Sequence, residues 1–497
     1  RMETFDMDAT NGFLDSKWYH LYCSVQRCNS ALRVLNAATD EQVNGRVSRI
    51  AEMKVLRAHY YFELSRLFNK IPYFDENVEI SQYPDIPNNE FTRDEILSML
   101  AKEMLDAAEL LPASQSEVGR IHKYIALAYA AKIKLYQAYQ QDETTHAVTS
   151  INKELLREVV SLCDQVTASN RYGLLDDFQG LDLVANENGK ESVFAIQYSM
   201  NDGTESAGRI NWSNLLNSPG GGSPYGGDGF FLPSQDLINA YQTDANGLPD
   251  FNYQSKSDYS WAVLNNGVYT LQNTTPNVDP RLDFVVGRPT ITWKTYPDKP
   301  CEGWVRDKET YGYNCAKRFW VSPESSDMFN GWPWGASQLN WQIIRYADIL
   351  LWKAEALIEL NEGDGLETAR DLINQIRNRA RNSAYVKDFN DHSKYAANYL
   401  VNPYPADVWN QDYARQALRW ETRLEKALEG ERFFDLVRWG IVETTMNKYI
   451  TAESDNRIYY ANAHFTGGKD EYYPVPNNQY GFSGGKYVQN PGYAPFN

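Results

Sequence analysis

The sequence lacks most of the patterns by which enzyme active sites are recognised. Its six histidines include no pair at the spacing of metal ligands, and no H-E-x-x-H, P-loop or dinucleotide-binding motif occurs. G-F-S-G-G at 481–485 matches the G-x-S-x-G nucleophile elbow. That elbow requires a preceding strand and a following helix, whereas this match lies in a tail rich in proline and glycine. We therefore expect no catalytic residue, no metal ligand and no cofactor.

The chain also lacks an excess of basic residues and any long apolar run. It has 48 Lys and Arg against 65 Asp and Glu, a net charge of -17. Phosphate binding needs basic residues concentrated on one face, so a nucleic-acid partner is not expected. No run approaches the roughly 18 apolar residues of a membrane span. A hydrophobic content of 42% with 23% charged residues is typical of a globular protein.

Cysteine is scarce, and the five present cannot all pair because their number is odd. Cys23, Cys28 and Cys163 fall in helical patterns, where a buried thiol is the expected role. Cys301 and Cys315 flank a loop-like stretch. They would form a disulfide only in an oxidising compartment, and the sequence leaves that open.

What the sequence does contain, over its first 170 residues, is a strong helical period. Apolar residues recurring three and four positions apart predict helices over 17–36, 43–68, 93–110, 120–139 and 151–169. Thr92 and Glu95 form a capping-box pattern at the start of the third helix. Short breaks and rows of small residues are typical of tetratricopeptide-like antiparallel helix pairs.

The amino-acid composition changes after this helical part. Residues 171–340 are rich in Gly, Pro, Asn, Asp and aromatic residues, with short strand-like runs, and helical period resumes at 345–363. We therefore expect a mainly α protein with one structural domain overall. Its parts are an N-terminal helical part (1–170), a variable loop-rich ligand-binding insertion (171–340), returning helices that complete the scaffold (341–445) and a C-terminal loop and strand tail (446–497).

Aromatic residues are concentrated in the insertion, where eight of the 13 tryptophans lie between 212 and 341. Flat aromatic rings offer rigid faces on which sugar rings can lie, although such residues also form cores where aliphatic residues are few. Those flanked by turn-forming residues are expected to be exposed. They are Trp293 and Tyr296 in T-W-K-T-Y-P, Trp304 beside Gly303, and Trp332 and Trp334 in N-G-W-P-W-G.

Several segments, taken together and in order, resemble the SusD/RagB family of outer-membrane glycan-binding lipoproteins of Bacteroidetes. They are K-V-L-R-A-H-Y-Y-F-E-L-S-R-L-F-N-K-I-P-Y-F at 54–74, F-L-P-S-Q-D-L-I-N-A-Y at 231–241, D-P-R-L-D-F-V-V-G-R-P at 279–289, R-Y-A-D-I-L-L-W-K-A-E-A-L, E-G-E-R-F-F-D-L-V-R-W-G, and the terminal P-V-P with Q-N-P-G-Y. Asn69 stands where the family usually has glycine. No single segment is specific, but the ordered set is.

The resemblance implies a tetratricopeptide-like scaffold whose loop-rich half binds glycan without catalysis. It also implies a lipid anchor on an N-terminal cysteine, an outer-membrane, cell-surface location, and nutrient uptake with a SusC-like TonB-dependent transporter that the protein covers as a lid. The anchoring cysteine is absent, as expected if it lies upstream of Arg1. Ligand-binding aromatic residues of the family also come from the loop after the second helix, which adds Tyr73 and Tyr83 to the candidates.

Two other functions remain open from the sequence. One is a glycoside hydrolase whose paired acids come from the insertion, for instance Asp228, Asp236 or Asp250. The other is a protein-interaction scaffold that binds only the transporter and has no affinity for sugar.

A charged cluster at 420–440 also requires an explanation. On a helix, Glu421, Glu425 and Glu429 form a row of like charge that is unfavourable without neighbouring bases. Our hypothesis is that residues 429–440, including Arg432 and Arg438, form a partly buried ion-pair network. It would join the returning helices to the N-terminal ones and contribute stability, not chemistry.

Overall fold

The structure is a computed structural model. It describes residues 1–204, 208–212, 217, 220, 222–266, 268–271, 276–296, 303–331 and 335–496. The chain forms two compact units. Unit 1 contains residues 1–171, 433–447 and 462–497, and unit 2 contains residues 172–432 and 448–461.

Unit 1 is built from consecutive antiparallel helices. They are α1 (Gly12–Ala37), α2 (Arg46–Phe68), α3 (Arg93–Leu110), α4 (Lys123–Ala138) and α5 (Lys153–Ala168), and each packs against the next. The five helices predicted from the apolar period are confirmed. β1 (Tyr139–Gln141) and β2 (Val148–Ile151) form an antiparallel pair between α4 and α5.

Local sequence signals explain where these helices begin. The side chain of Asn11 accepts hydrogen bonds from the backbone of Phe13 and Leu14 at the start of α1. Thr92 and Glu95 form the predicted capping box of α3, each side chain accepting from the other's backbone N–H. α4 is buried along most of its length. Its many alanines leave room for α3 on one side and α5 on the other.

Unit 2 combines short strands with helices. Its elements, in chain order, are β3 (Ser192–Ile196), α6 (Gln235–Ala240), β4 (Gln242–Thr243), β5 (Ala262–Asn265), β6 (Val268–Leu271), β7 (Asn277–Val278), α7 (Arg281–Val285), β8 (Val286–Gly287), α8 (Lys308–Tyr311), β9 (Cys315–Ala316), β10 (Trp341–Arg345), α9 (Tyr346–Leu360), α10 (Gly365–Asn382) and α11 (Gln411–Glu425). The strands pair antiparallel as β3 with β10, β4 with β7, β5 with β6, and β8 with β9.

Three helices follow: α12 (Arg432–Arg438), α13 (Val442–Glu453) and α14 (Asn477–Phe482). The expected returning helices at 341–445 are therefore divided, since residues up to 432 belong to unit 2 and residues 433–445 to unit 1. The mainly α class is confirmed, and the expected organisation as one structural domain with four parts stays a prediction. None of the described helices is long and apolar enough to cross a membrane.

Candidate functional site

The structure places Trp293 and Trp304 inside an aromatic cluster of unit 2, which we define as Tyr225, Trp293, Trp304, Cys315 and Trp320. Trp293 and Trp304 are each only 2% exposed, so the expectation that their rings are exposed is wrong. The two rings meet nearly edge to face, with centroids 5.6 Å apart. The indole N–H of Trp293 donates to the carbonyl of Ala316 at 3.1 Å.

Gly287 explains why Trp293 is buried. β8 pairs with β9, which sets Gly287 opposite Cys315. A Cβ atom on Gly287 would lie 2.5 Å from the sulfur of Cys315 and 2.7 Å from Cδ1 of Trp293. The indole of Trp293 fills the space that a side chain at position 287 would occupy. The backbone turns at 293–296, where the Tyr296 N–H donates to the Trp293 carbonyl at 3.0 Å, but turn-forming neighbours do not determine the side on which a ring lies.

Of the predicted residues in the insertion, Tyr296 keeps an accessible surface. It is half-buried, and its ring contacts that of Trp304 at 5.9 Å. Trp332 and Trp334 lie outside the described residues, as does Cys301. Cys315 is fully buried in the aromatic cluster and is a free cysteine.

The other two predicted residues, Tyr73 and Tyr83, lie in unit 1 on the loop at 71–86. Both are half-buried. The ring of Tyr83 stacks on Phe74 with centroids 3.9 Å apart and planes 21° apart. The ring of Tyr73 lies 4.7 Å from that of Tyr61. Each tyrosine is thus fixed through part of its ring by a neighbour and keeps some accessible surface.

Buried and half-buried polar side chains from α1 and α2 hold this loop. The Tyr61 hydroxyl donates to the carbonyl of Phe74 at 2.7 Å and accepts from its N–H at 2.9 Å. Asn29 donates to the same carbonyl at 3.2 Å. Arg33 donates to the carbonyls of Glu76 and Val78 at 2.9 and 2.6 Å.

Arg33 also donates to the Tyr83 hydroxyl at 3.0 Å, so the helix orients this ring directly. Sequence reasoning missed Arg33 and Asn29. Their spacing of four on one face of α1 was the available signal, but nothing in the sequence shows which loop that face meets.

Arg57, the arginine of the R-A-H-Y-Y-F segment, lies beneath the same loop. It is buried, donates to Asn29 at 2.7 Å and forms ion pairs with Glu76 and Glu103. Burial raises the pKa of the Tyr61 phenol well above its usual value, so the phenol stays protonated and can keep donating. The loop is a preorganised surface.

Unit 2 contains two cavities of ligand size. One, of about 300 Å³, is lined by aromatic and cationic side chains that include Phe178, Lys294 and Arg318. The other, of about 530 Å³, is lined by polar side chains and Phe251, with Asp250 and Lys256 among them. Sequence reasoning identified neither cavity, because their walls come from segments far apart in the chain.

The acids considered for hydrolysis are engaged in structural contacts. Asp236 is buried, pairs with Arg423 at 2.6 Å and accepts from the Tyr253 hydroxyl at 2.8 Å. Burial raises the pKa of Asp236, but Arg423 and the hydrogen bonds outweigh burial and leave the pKa lowered. Asp250 pairs with Lys256, and Asp228 with Arg306 at 3.2 Å. These contacts favour structural roles over acid catalysis.

The row of Glu421, Glu425 and Glu429 is buried in an ion-pair network within unit 2. Its cations are Arg281, Arg318, Arg345, Arg377, Arg379 and Lys426. Burial raises the pKa of Glu425, but the arginines outweigh it and lower the pKa to about 2. Glu425 is therefore a charged structural group at neutral pH.

This arrangement corrects the hypothesis that residues 429–440 form the network, because its arginines come from earlier in the chain. The chain turns between α11 and α12 through left-handed backbone at Leu428 and Gly430, so helical spacing does not continue from Glu429 to Arg432. Arg432 donates to the carbonyl of Arg419 at 3.3 Å. Arg438, in unit 1, pairs with Asp435 at 2.9 Å.

Among the described residues, no group of three or more His, Cys, Asp or Glu side chains is arranged to hold a metal ion. The accessible aromatic residues and the cavities define the candidate site. It consists of the preorganised loop in unit 1 and, separately, Tyr296 and the cavities in unit 2.

Comparisons with known proteins agree on one family. The profile of the SusD family matches residues 190–493, and a profile described as starch-binding associating with outer membrane matches residues 3–135. A SusD-like protein of Bacteroides ovatus is 22% identical over 457 residues, which span 88% of this chain and 67% of the relative.

Solved structures have the same fold. A SusD superfamily protein of Bacteroides vulgatus superposes with a TM-score of 0.70 at 21% identity, covering 99% of this chain and 88% of the other. Surface glycan-binding protein A of Bacteroides thetaiotaomicron, solved in complex with laminarihexaose, superposes with a TM-score of 0.64 at 19% identity, covering 98% and 88%.

Proposed function

This chain belongs to the SusD family, and on that premise we propose that it binds an oligosaccharide or polysaccharide without cutting it. The observation that carries the proposal is the loop at 71–86. Its tyrosines Tyr73 and Tyr83 keep accessible ring surface while buried hydrogen bonds fix the backbone beneath them.

Preorganisation matters because sugar stacking is weak. Each ring contributes roughly 0.5–1.5 kcal/mol to the binding free energy. The entropy cost of ordering a mobile loop would offset this gain. Arg33, Asn29 and Tyr61 order this loop before any ligand arrives. We expect a weak affinity for short oligosaccharides, increased by avidity for a polymer that engages several protein copies.

The absence of catalysis is part of the proposal. Asp236 and Glu425 are buried and paired with arginine, and the pKa of each is lowered, whereas an acid catalyst needs a raised one. The solved relative bound to laminarihexaose is described as a glycan-binding protein, which supports the same function here.

Location and partner are proposed from the membership in the family. A profile described as associating with outer membrane matches the N-terminal part of the chain. We propose that a lipid anchor attaches the protein to the cell surface, and that it delivers glycan to a SusC-like TonB-dependent transporter. Co-purification of the transporter with the tagged, full-length protein from native membranes tests the partnership, and its repeated absence counts against it.

A polysaccharide screen tests the binding function. Folded protein is run by affinity electrophoresis through gels that each contain one neutral or acidic polysaccharide, beside a gel that contains none. We expect retardation in at least one gel. A folded protein that runs unretarded in all of them contradicts glycan binding and favours the scaffold that binds only a transporter.

A further inference from the structure

The 300 Å³ cavity of unit 2 has a lining that differs in charge from the whole chain. The chain carries a net charge of -17, yet four lysines and arginines and one carboxylate line this cavity. The cations are Lys294, Lys317, Arg318 and Lys387, and the acid is Asp182. We call it the cationic cavity.

The cations at its inner wall are held rigidly. Lys317 is buried and donates to the main-chain carbonyls of Asp283 and Thr292 at 2.7 and 2.6 Å. Arg318 is bound by Asp182 and Glu429, each at 3.1 Å. These contacts fix positive charge at the wall in a setting that water screens poorly.

Lys294 reaches the cavity through an uncommon backbone conformation. Its φ is +50°, in the left-handed region that a side chain disfavours, and Thr290 just before it has a φ of +71°. This backbone buries Trp293 in the aromatic cluster and leaves Lys294 lining the cavity.

Asp182 forms ion pairs with both Lys294, at 3.3 Å, and Arg318, at 3.1 Å. One carboxylate is thus shared between two cations. Burial lowers the pKa of Lys294, and Asp182 offsets that only in part. A second anion bound in the cavity would stabilise the charged form of the Lys294 side chain over the neutral form.

The remaining lining suits a sugar ring. Tyr385 is half-buried and lies on the lining, beside the core residues Phe178 and Phe284, which are only 1% and 4% exposed. Lys387 and His392 are exposed and mark the side open to solvent. The volume is at the lower end of ligand pockets, roughly 300–1,000 Å³, and fits one substituted sugar better than a chain.

We infer that the cationic cavity receives the carboxylate or sulfate group of an acidic glycan. This inference rests on the proposed function and narrows its substrate class from glycans in general to glycans with acidic substituents. The charged group would meet Lys294 and Lys387, and the half-buried ring of Tyr385 would contact the sugar that carries it.

Matched pairs of polysaccharides test the inference. Polygalacturonate, alginate and sulfated carrageenan are each compared with their carboxyl-reduced or desulfated forms by affinity electrophoresis of the full chain. We expect retardation by at least one acidic member that its neutral counterpart does not reproduce. A carboxylate pair and a sulfate pair distinguish the two sources of charge.

Variants then locate the binding. Lys387→Gln should weaken binding of the retained acidic polysaccharide at least threefold, and Lys294→Gln with Lys387→Gln at least tenfold. Lys190→Gln is the control, because Lys190 is an exposed lysine of the same unit that lines neither cavity. Thermal unfolding of each variant verifies that it is folded, and Lys387 is exposed enough that its variant should retain the fold.

Each outcome of these experiments either supports or contradicts the inference. Preference for the acidic member, lost in the Lys387 variant and kept in the Lys190 variant, supports the inference. Equal retention of neutral forms, or lysine variants that bind like the wild type, overturns it and leaves glycan binding intact. Failure to bind every polysaccharide, neutral or acidic, overturns the proposed function as well.

Discussion

At the scale of single residues, burial separates the aromatic residues that build the protein from those that can meet a ligand. Trp293 and Trp304 are buried and contact each other, whereas Tyr73, Tyr83 and Tyr296 keep accessible surface. An aromatic residue next to turn formers is therefore a candidate for a sugar site only after its burial is known.

Alanine substitutions at the loop tyrosines test the proposed stacking. Tyr73→Ala and Tyr83→Ala should each weaken binding of the identified glycan about 2- to 12-fold, corresponding to roughly 0.5–1.5 kcal/mol per ring. Calorimetric titration measures the effect. Tyr124→Ala, a half-buried tyrosine of α4 in the same unit, is the control and should bind normally. Normal binding by both loop variants would remove this surface from the site.

The buried indole of Trp293 should affect stability instead. Trp293→Ala removes a ring that contacts Tyr225 and Trp304, and we expect the free energy of unfolding to fall by about 3–5 kcal/mol. Trp293→Phe keeps a ring and loses the hydrogen bond to Ala316, so it should cost less. Denaturant titration measures both, and unchanged stability in the alanine variant would contradict the packing described.

At the scale of elements, the helices were predictable and the loops were not. The apolar period and the capping pair Thr92 and Glu95 are local signals, so α1 to α5 could be predicted within a few residues of their ends. The side on which Trp293 lies depends on Gly287 and on Cys315, which the pairing of β8 with β9 sets opposite it. The ion-pair network likewise depends on arginines distant in sequence, such as Arg281 and Arg318.

The ion-pair network around Glu421, Glu425 and Glu429 connects several elements of unit 2. Arg345, at the N-terminal end of α9, pairs with Glu191, Glu425 and Glu429 at 3.0, 2.7 and 2.9 Å. Arg345→Met would leave these carboxylates with fewer cations in a buried setting. We expect a loss of about 3–5 kcal/mol in the free energy of unfolding.

Lys190→Gln provides the comparison for Arg345→Met, because Lys190 and Asp176 form an exposed pair. Such pairs contribute about 0–1 kcal/mol. Chemical denaturation of both variants measures the difference. Equal stabilities would mean that the network does not hold these elements.

At the scale of the whole molecule, the same network predicts how stability depends on pH. The pKa of Glu425 is lowered from 4.5 to about 2 by Arg379, Arg345 and Arg281, against the opposing effect of burial. The unfolded chain therefore binds this proton more readily than the folded chain. Stability should be fully present above about pH 4.5 and fall as the pH drops towards 2. Unfolding free energies measured at pH 7, 4.5 and 3 test this, and a constant value would contradict it.

Membership in the SusD family is visible across the whole chain, while the identity of the ligand is not. Ordered motifs such as R-A-H-Y-Y-F build scaffold contacts like those of Arg57 and could be recognised in the sequence. The surfaces proposed to meet glycan depend on loop positions, as for Tyr83, and on cavity walls drawn from distant segments.

Isothermal titration calorimetry of the folded chain with the polysaccharide or oligosaccharide that retards it tests the central claim most directly. The injections report binding, and the baseline between them reports turnover. The proposed non-catalytic glycan binder predicts saturable heats followed by a return to a flat baseline. Heats indistinguishable from dilution, or a sustained heat flow from hydrolysis after saturation, would contradict it.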